Sequence, residues 1–172
     1  SVSLVEEISN NNGGSKFKWA ENNEDRKKLW KARHEVYYSV KALLPNIRIY
    51  TTDVCVPISK LVECIKFTEE KIKERGLQAP IVGHAGDGNF HCTVLYDPEN
   101  KKDHKTIREF SNELINKTLE LDGTITGEHG IGINKKKYLI KQHKDNIPLM
   151  QIIKKNIDPK NIMNPGKIFD IN

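Results

Sequence analysis

Apolar residues along the chain switch repeatedly between helical and strand spacing. Val2, Val5 and Ile8 recur every three residues before Asn10-Asn11-Asn12-Gly13-Gly14 interrupts the run, which predicts a short helix and a turn. Phe17 and Trp19 alternate with lysines, as a short strand does. Between Glu24 and Leu44, the residues Leu29, Trp30, Val36, Tyr37, Val40 and Leu44 fall at helical spacing, and Pro45 predicts the end of that helix. The β-branched run from Ile47 to Val56, closed by Pro57, predicts a strand. Ile58, Leu61, Val62, Ile65 and Ile72 then mark one face of a helix that stops at Gly76.

The second half repeats the alternation. Ile81 to Ala85 and Phe90 to Tyr96 read as strands joined through Gly86-Asp87-Gly88-Asn89, whose Asp-Gly centre is a strong hairpin signal. A long helix is predicted from about Glu99 to Leu121, with Ile107, Phe110, Leu114 and Leu121 inward and Gly123 just past its end. Thr124 to Thr126 reads as a short strand, and helices over Lys135 to His143 and Pro148 to Ile157 lead into a tail rich in Pro and Asn. Mixed strands and helices without a repeat or a long linker predict one α+β domain over residues 1–172, an antiparallel sheet flanked by helices. A chain that opens on a short helix and a stop reads as part of something longer.

Composition narrows the class. Hydrophobic residues make up 37% and charged residues 30% of 172, enough apolar content for a folded core. The net charge of +5 invites a nucleic-acid reading, but lysine runs such as Lys135 to Lys137 lack the interleaved aromatics of a single-strand binder. They fit a solvated face or attraction of an anionic substrate. Cys55, Cys64 and Cys92 are odd in number and lack CxxC spacing, which predicts free thiols and a reducing compartment. No apolar run reaches the roughly 18 residues of a membrane span, and Ser1 to Ser9 lacks the features of a targeting segment.

The hairpin carries the chemistry. With Asp87 and Gly88 as the central turn residues, His84 faces His91 across the ladder, their Cβ atoms roughly 4.5 to 5.5 Å apart. Ile81, Ala85, Phe90, Cys92, Val94 and Tyr96 then form the core face, leaving the histidines on the face away from the core. Two imidazoles so placed can share a metal ion, and such a site takes at least a third ligand, commonly a carboxylate. Glu128, in Gly127-Glu128-His129-Gly130-Ile131-Gly132, is the candidate. His129 points the other way in an extended segment, which makes it an acid or base beside the ion. A plain loop pair is the alternative for Glu128 and His129. Neither glycine cluster has the GxGxxG pattern of a dinucleotide fold.

Three stretches carry a family resemblance: Gly83-His84-Ala85-Gly86-Asp87-Gly88-Asn89-Phe90-His91-Cys92, then Gly123-Thr124-Ile125-Thr126-Gly127-Glu128-His129-Gly130-Ile131-Gly132, and Asp158-Pro159 with Met163-Asn164-Pro165-Gly166-Lys167. Together they resemble the C-terminal domain of FAD-linked oxidases. Thr52-Asp53-Val54-Cys55-Val56-Pro57-Ile58-Ser59 agrees with the branch of mitochondrial, cytochrome-type D-lactate dehydrogenases. The resemblance implies that His84, His91 and Glu128 hold a divalent metal, Zn or Mn, and that His129 is the catalytic base. It implies that Arg33 grips the substrate carboxylate, bidentately as a planar guanidinium can, and that Asn164 lies near the flavin ring.

Related D-2-hydroxyglutarate dehydrogenases carry Lys where Thr51 stands and Asn where Thr93 stands. Those departures favour a small monoacid such as D-lactate, with Thr93 at the substrate; glycolate and D-2-hydroxyglutarate are the alternatives. Electrons are expected to pass from FAD to cytochrome c or a quinone-type acceptor, in a mitochondrial parent protein whose FAD is held mainly by an N-terminal domain. A catalytically inactive binding module and a metal-dependent hydrolase are the rival classes; the presence of His84, His91, Glu128 and His129 together speaks against the first. The isolated 172-residue chain is predicted to bind little or no FAD, and tight stoichiometric flavin in the purified chain would contradict this.

Overall fold

The computed structural model describes residues 2–15, 17–43 and 46–171. Two compact units divide the chain, residues 1–45 and 46–172. Ser1, Lys16, Leu44, Pro45 and Asn172 lie outside the described residues, and with them the predicted helix stop at Pro45.

The first unit holds helices α1 (Val2–Asn11) and α2 (Asn23–Leu43). Asn22 starts α2, its side-chain oxygen accepting the N–H groups of Glu24 and Asp25, each at 2.9 Å. The segment 17–19 forms no strand; Phe17 and Trp19 instead set their rings 5.9 Å apart. Helical spacing in α2 correctly marked the helix, but its apolar residues are not inward: Leu29, Trp30, Val36 and Tyr37 are all exposed. Periodicity reports which face is apolar and says nothing of what covers it.

The second unit is an α+β sandwich of one antiparallel sheet and helices. Its strands are β1 (Arg48–Thr51), β2 (Val54–Cys55), β3 (Ile81–His84) and β4 (Asn89–Tyr96), and every other strand pairs antiparallel with β4. β1 and β2 keep one register, Thr51 opposite Thr93 and Val54 opposite Phe90. The run predicted from Ile47 to Val56 is therefore one strand interrupted at Thr52 and Asp53. At the interruption the Thr52 hydroxyl accepts the Cys92 N–H at 2.8 Å and the Thr52 N–H donates to the Cys92 carbonyl at 3.0 Å. In the same register Asp53 falls opposite His91.

Helices α3 (Leu61–Glu74), α4 (Lys101–Glu120), α5 (Lys136–His143) and α6 (Ile147–Ile157) complete the unit. Asn100 caps α4, accepting the Lys102 N–H at 3.0 Å. Arg75 ties the end of α3 to α4 through Glu109 at 3.0 Å and Glu113 at 2.7 Å. The core lies between α3, α4 and one face of the sheet, and is built on Phe90, Cys92, Val94, Phe110, Leu114 and Ile125. The core-facing alternation of β4 is as its sequence predicts. Thr124 to Thr126 makes only a bridge, Cys55 with Thr124. No helix among the described residues is long and apolar enough to cross a membrane.

The hairpin register differs from the two-residue turn. His84 pairs with Asn89 and Val82 with His91, and a four-residue connection runs through a 3-10 turn, Ala85–Asp87, to Gly88 at φ 72°. The cause is tertiary. Gly88 gives its carbonyl to the Val56 N–H at 3.0 Å, and Cys55 Sγ donates to the Asp87 carbonyl at 3.2 Å, so β2 holds the loop open. A Cβ on Gly88 would stand 2.0 Å from the Val56 oxygen. Because the slip is two residues, side chains keep their faces. His84 and His91 remain on one face, diagonal to each other. That face is not solvent at His91, which is buried, as are Asn89 and Thr93.

Phe110 is fully buried on α4. Phe110→Ala is expected to lower unfolding free energy by roughly 3–5 kcal/mol, read from urea unfolding followed by far-UV circular dichroism.

Candidate metal and substrate site

The site is assembled on β3 and β4 and closed by the loop after Ile125. His91 enters from β4 with its ring fixed by its own strand neighbour: Nδ1 lies 3.1 Å from the Thr52 carbonyl oxygen. A carbonyl only accepts, so the proton sits on Nδ1 and Nε2 presents its lone pair. Opposite that lone pair, at 2.9 Å, is Glu128 Oε1.

Glu128 Oε1 is the hub of the cluster. His84 Nε2 lies 3.8 Å from it and His129 Nε2 3.6 Å. Metal bonds of about 2.0 to 2.2 Å around a tetrahedral ion put neighbouring donors roughly 3.3 to 3.6 Å apart, and the cluster's spacings bracket that range. His84, His91 and Glu128 offer one ligand atom each within 4.8 Å of one another. The rings of His84 and His91 are 6.2 Å apart and perpendicular at 88°, so they approach the shared carboxylate from different sides. The residues present fit a divalent metal bound by two imidazoles and a carboxylate. The set stays open on one side: Glu128 and His129 are half-exposed, and His84 is partly so.

His129 does not point away from the cluster as an extended backbone would have it. Its ring stacks on His91, centroids 4.9 Å apart and planes within 8°. The reason is the loop's path, which bends around a buried carboxylate instead of running straight. That carboxylate is Asp53, 2% exposed. Its Oδ2 accepts the Thr126 hydroxyl at 2.7 Å and the N–H groups of Gly127, Glu128 and His129 at 3.0, 3.1 and 2.9 Å. Its Oδ1 accepts Asn89 Nδ2 at 2.9 Å. Burial alone would raise the Asp53 pKa, but the hydrogen bonds from Thr126, His129, Asn89 and Glu128 outweigh it and hold the carboxyl far below the usual range. Lys135 seals the loop's far end, its Nζ donating to the carbonyls of Asp53 at 2.9 Å and Ile125 at 2.7 Å.

Asp53 carried no role in the reading of the sequence beyond branch similarity. A signal was present: it is the one charge inside the β-branched run from Ile49 to Val56, where a buried charge must find partners. Asn89, likewise unassigned, donates to Asp53 and to the Val54 carbonyl at 2.9 Å, which leaves its buried Oδ1 without a partner among the described residues.

Thr93 is buried on the His91 face of β4 and lies directly opposite Thr51, so the two threonines form one pair. A cavity of about 660 Å³ runs from Thr51 and His129 between α4 and α5, with Arg108, Lys135 and Lys137 along its walls. Arg33 stands on α2 in the first unit, its guanidinium 5.9 Å from the Trp30 ring, whereas the cluster is drawn wholly from the second unit. Asn164 occupies an exposed turn of the tail at φ 50°. That tail is organised by Asp158, which is buried and accepts the N–H groups of Ile162 at 3.0 Å and Met163 at 2.8 Å.

The chain belongs to the family of FAD linked oxidases, C-terminal domain, which it matches over residues 1–168. Among relatives, it is 44% identical to "Probable D-lactate dehydrogenase, mitochondrial" of Danio rerio, covering 99% of this chain and 34% of the relative. It is 38% identical to "D-lactate dehydrogenase [cytochrome] 1, mitochondrial" of Saccharomyces cerevisiae, over 98% of this chain and 29% of the relative. "Glycolate oxidase subunit GlcD" of Bacillus subtilis is 36% identical over 87% of this chain and 32% of its own length. The chain thus spans about a third of the length of the curated relatives it matches. In fold it is similar to 4-ethylphenol oxidase from Gulosibacter chungangensis, with a TM-score of 0.60 at 21% identity, over 88% of this chain and 31% of that one.

Gly127 fits only as glycine, since a Cβ there would stand 1.9 Å from Asn89 Nδ2 and 2.9 Å from Asp53 Oδ1. Gly127→Ala is expected to cost about 1–3 kcal/mol by overpacking, seen as a lowered melting temperature. Gly86→Ala, with nothing within 4 Å, is the control and should melt like the parent.

Proposed function

We propose that this chain is the substrate- and metal-binding part of a flavin-dependent D-2-hydroxy-acid dehydrogenase that oxidises D-lactate to pyruvate, with cytochrome c as final acceptor. The observation that carries the reading is the meeting of His84, His91 and Glu128, from two distant stretches of sequence, around one carboxylate oxygen. Family membership supports the flavin, and the names of the relatives support D-lactate, a mitochondrial location and a cytochrome acceptor. Glycolate is the second substrate, favoured by the similarity to a glycolate oxidase subunit. FAD is held mainly by parts of the protein other than these 172 residues.

His84, His91 and Glu128 would hold the cation, Zn or Mn, and Asn164 would lie toward the flavin. When bound, the metal supplies Lewis-acid polarisation of the 2-hydroxyl, and FAD accepts the two electrons released as the alcohol becomes a ketone. The residues of this chain do the positioning and the proton transfer. Arg33 binds the substrate carboxylate through its planar fork. His129, half-exposed beside Glu128, takes the hydroxyl proton on Nε2. Stacking on His91 and the backbone hydrogen bond to Asp53 hold its ring at the open side of the site. The Thr51 and Thr93 pair presents hydroxyls and methyls in place of a charged group, which suits a small monoacid.

The test is metal analysis and a screen of D-2-hydroxy acids on the flavin-containing protein, followed by dye reduction. His84→Ala is expected to lose metal and rate together. Normal metal occupancy in that variant removes His84 from the ligand set, and the absence of any hydroxy-acid-dependent dye reduction in the parent overturns the activity.

A further inference from the structure

We propose that Asp53 is the positioning residue of this metal site, setting its affinity by fixing where the Glu128 carboxylate stands while not itself touching the ion; the inference rests on the metal reading above. Apart from the histidines around Oε1, of which His91 Nε2 at 2.9 Å is nearest, no side chain of its own loop fixes Glu128 among the described residues. Its side chain is half-exposed and its loop lacks regular secondary structure from Gly127 to Gly130. What defines the loop is a run of consecutive N–H groups, Gly127, Glu128 and His129, all converging on Asp53 Oδ2 within 3.1 Å, with the Thr126 hydroxyl added at 2.7 Å.

Asp53 is in turn fixed from the sheet side. It lies opposite His91 in the strand register, its Oδ1 is 3.6 Å from His91 Nδ1, and Asn89 Nδ2 donates to the same oxygen. One carboxylate therefore holds the loop that carries Glu128 and stands beside the ring of the ligand on β4, which the Thr52 carbonyl fixes. Gly127 belongs to the same device, because any side chain there would occupy the space of Asn89 and Asp53.

A direct ligand role is the competing arrangement, since Asp53, His91 and His129 also bring one ligand atom each within 4.8 Å. The hydrogen bonds decide against it. A carboxylate offers about four lone-pair sites, and five donors already crowd Asp53: four converge on Oδ2, while Oδ1 accepts Asn89 Nδ2 at 2.9 Å and shares the Glu128 N–H at 3.4 Å. An ion would have to displace them and unfold the loop that carries Glu128.

Asp53→Asn and Thr126→Val separate the two roles in the flavin-containing protein. Apoprotein is titrated with Zn2+ and with Mn2+, and kcat and KM for D-lactate are read at low and saturating metal. A positioning role predicts metal affinity weaker by about 10- to 100-fold in Asp53→Asn, with kcat recovering toward the parent value at saturating metal. Glu128→Gln, which removes a ligand, is not rescued in this way. Thr126→Val, a change of similar shape that removes one donor to Oδ2, should weaken affinity by roughly threefold to tenfold, and it carries the test if Asp53→Asn fails to fold. Parental affinity in Thr126→Val, or in folded Asp53→Asn, overturns the proposal while leaving the metal site intact. A parent protein that binds neither ion removes the metal reading itself.

Discussion

A buried carboxylate at Asp53 is the constraint on which the second unit's functional end depends. Removing an ion from water costs several kcal/mol even after relaxation, so such a group persists only where the surrounding donors are numerous and well placed. Here the donors are supplied by the chain's own loop, and satisfying the charge folds that loop. The strand break at Thr52 and Asp53 is part of the same arrangement. It turns the Thr52 carbonyl to His91 Nδ1 and leaves the carboxylate facing the segment from Thr126 to His129.

The device recurs at the end of the chain. Asp158, buried after α6, accepts the N–H groups of Ile162 and Met163 and pairs with Lys154, so the tail from Asp158 to Met163 turns about a carboxylate as the Glu128 loop does. Lysines close both features. Lys135 binds the carbonyls of Asp53 and Ile125, and Lys154 binds Asp158 and the Met163 carbonyl. Each of these lysines sits beside an aspartate, so the two pairs are neutral and the net charge of +5 is carried by other residues.

For function, the arrangement separates rigidity from access. His91 is buried and held on both sides, while Glu128, His129 and His84 open toward solvent. A fixed imidazole thus stands beneath more exposed groups. The threonine pair at 51 and 93 lies along the same strand face, and a cavity with Arg108 and Lys137 on its walls continues beyond Thr51. Arg33 belongs to a unit whose helices expose their apolar faces.

By itself the sequence determined the helices of the second unit and the strands β3 and β4 to within a few residues, and the core face of β4, and it singled out His84, His91, Glu128 and His129 as candidates. These follow from local rules: side-chain period, turn residues and ligand chemistry are written in neighbouring positions. Tertiary structure decided the rest. The hairpin register was displaced because β2, thirty residues earlier, hydrogen-bonds into the turn, and no local signal encodes that contact. The break in the Ile47 to Val56 strand, the inward turn of His129 and the choice of Asp53 as the loop's anchor all depend on donors from residues 89 and 126 to 129 arriving at one oxygen pair. A lone aspartate in a β-branched run marks a charge that must be satisfied; only the folded chain shows which groups satisfy it.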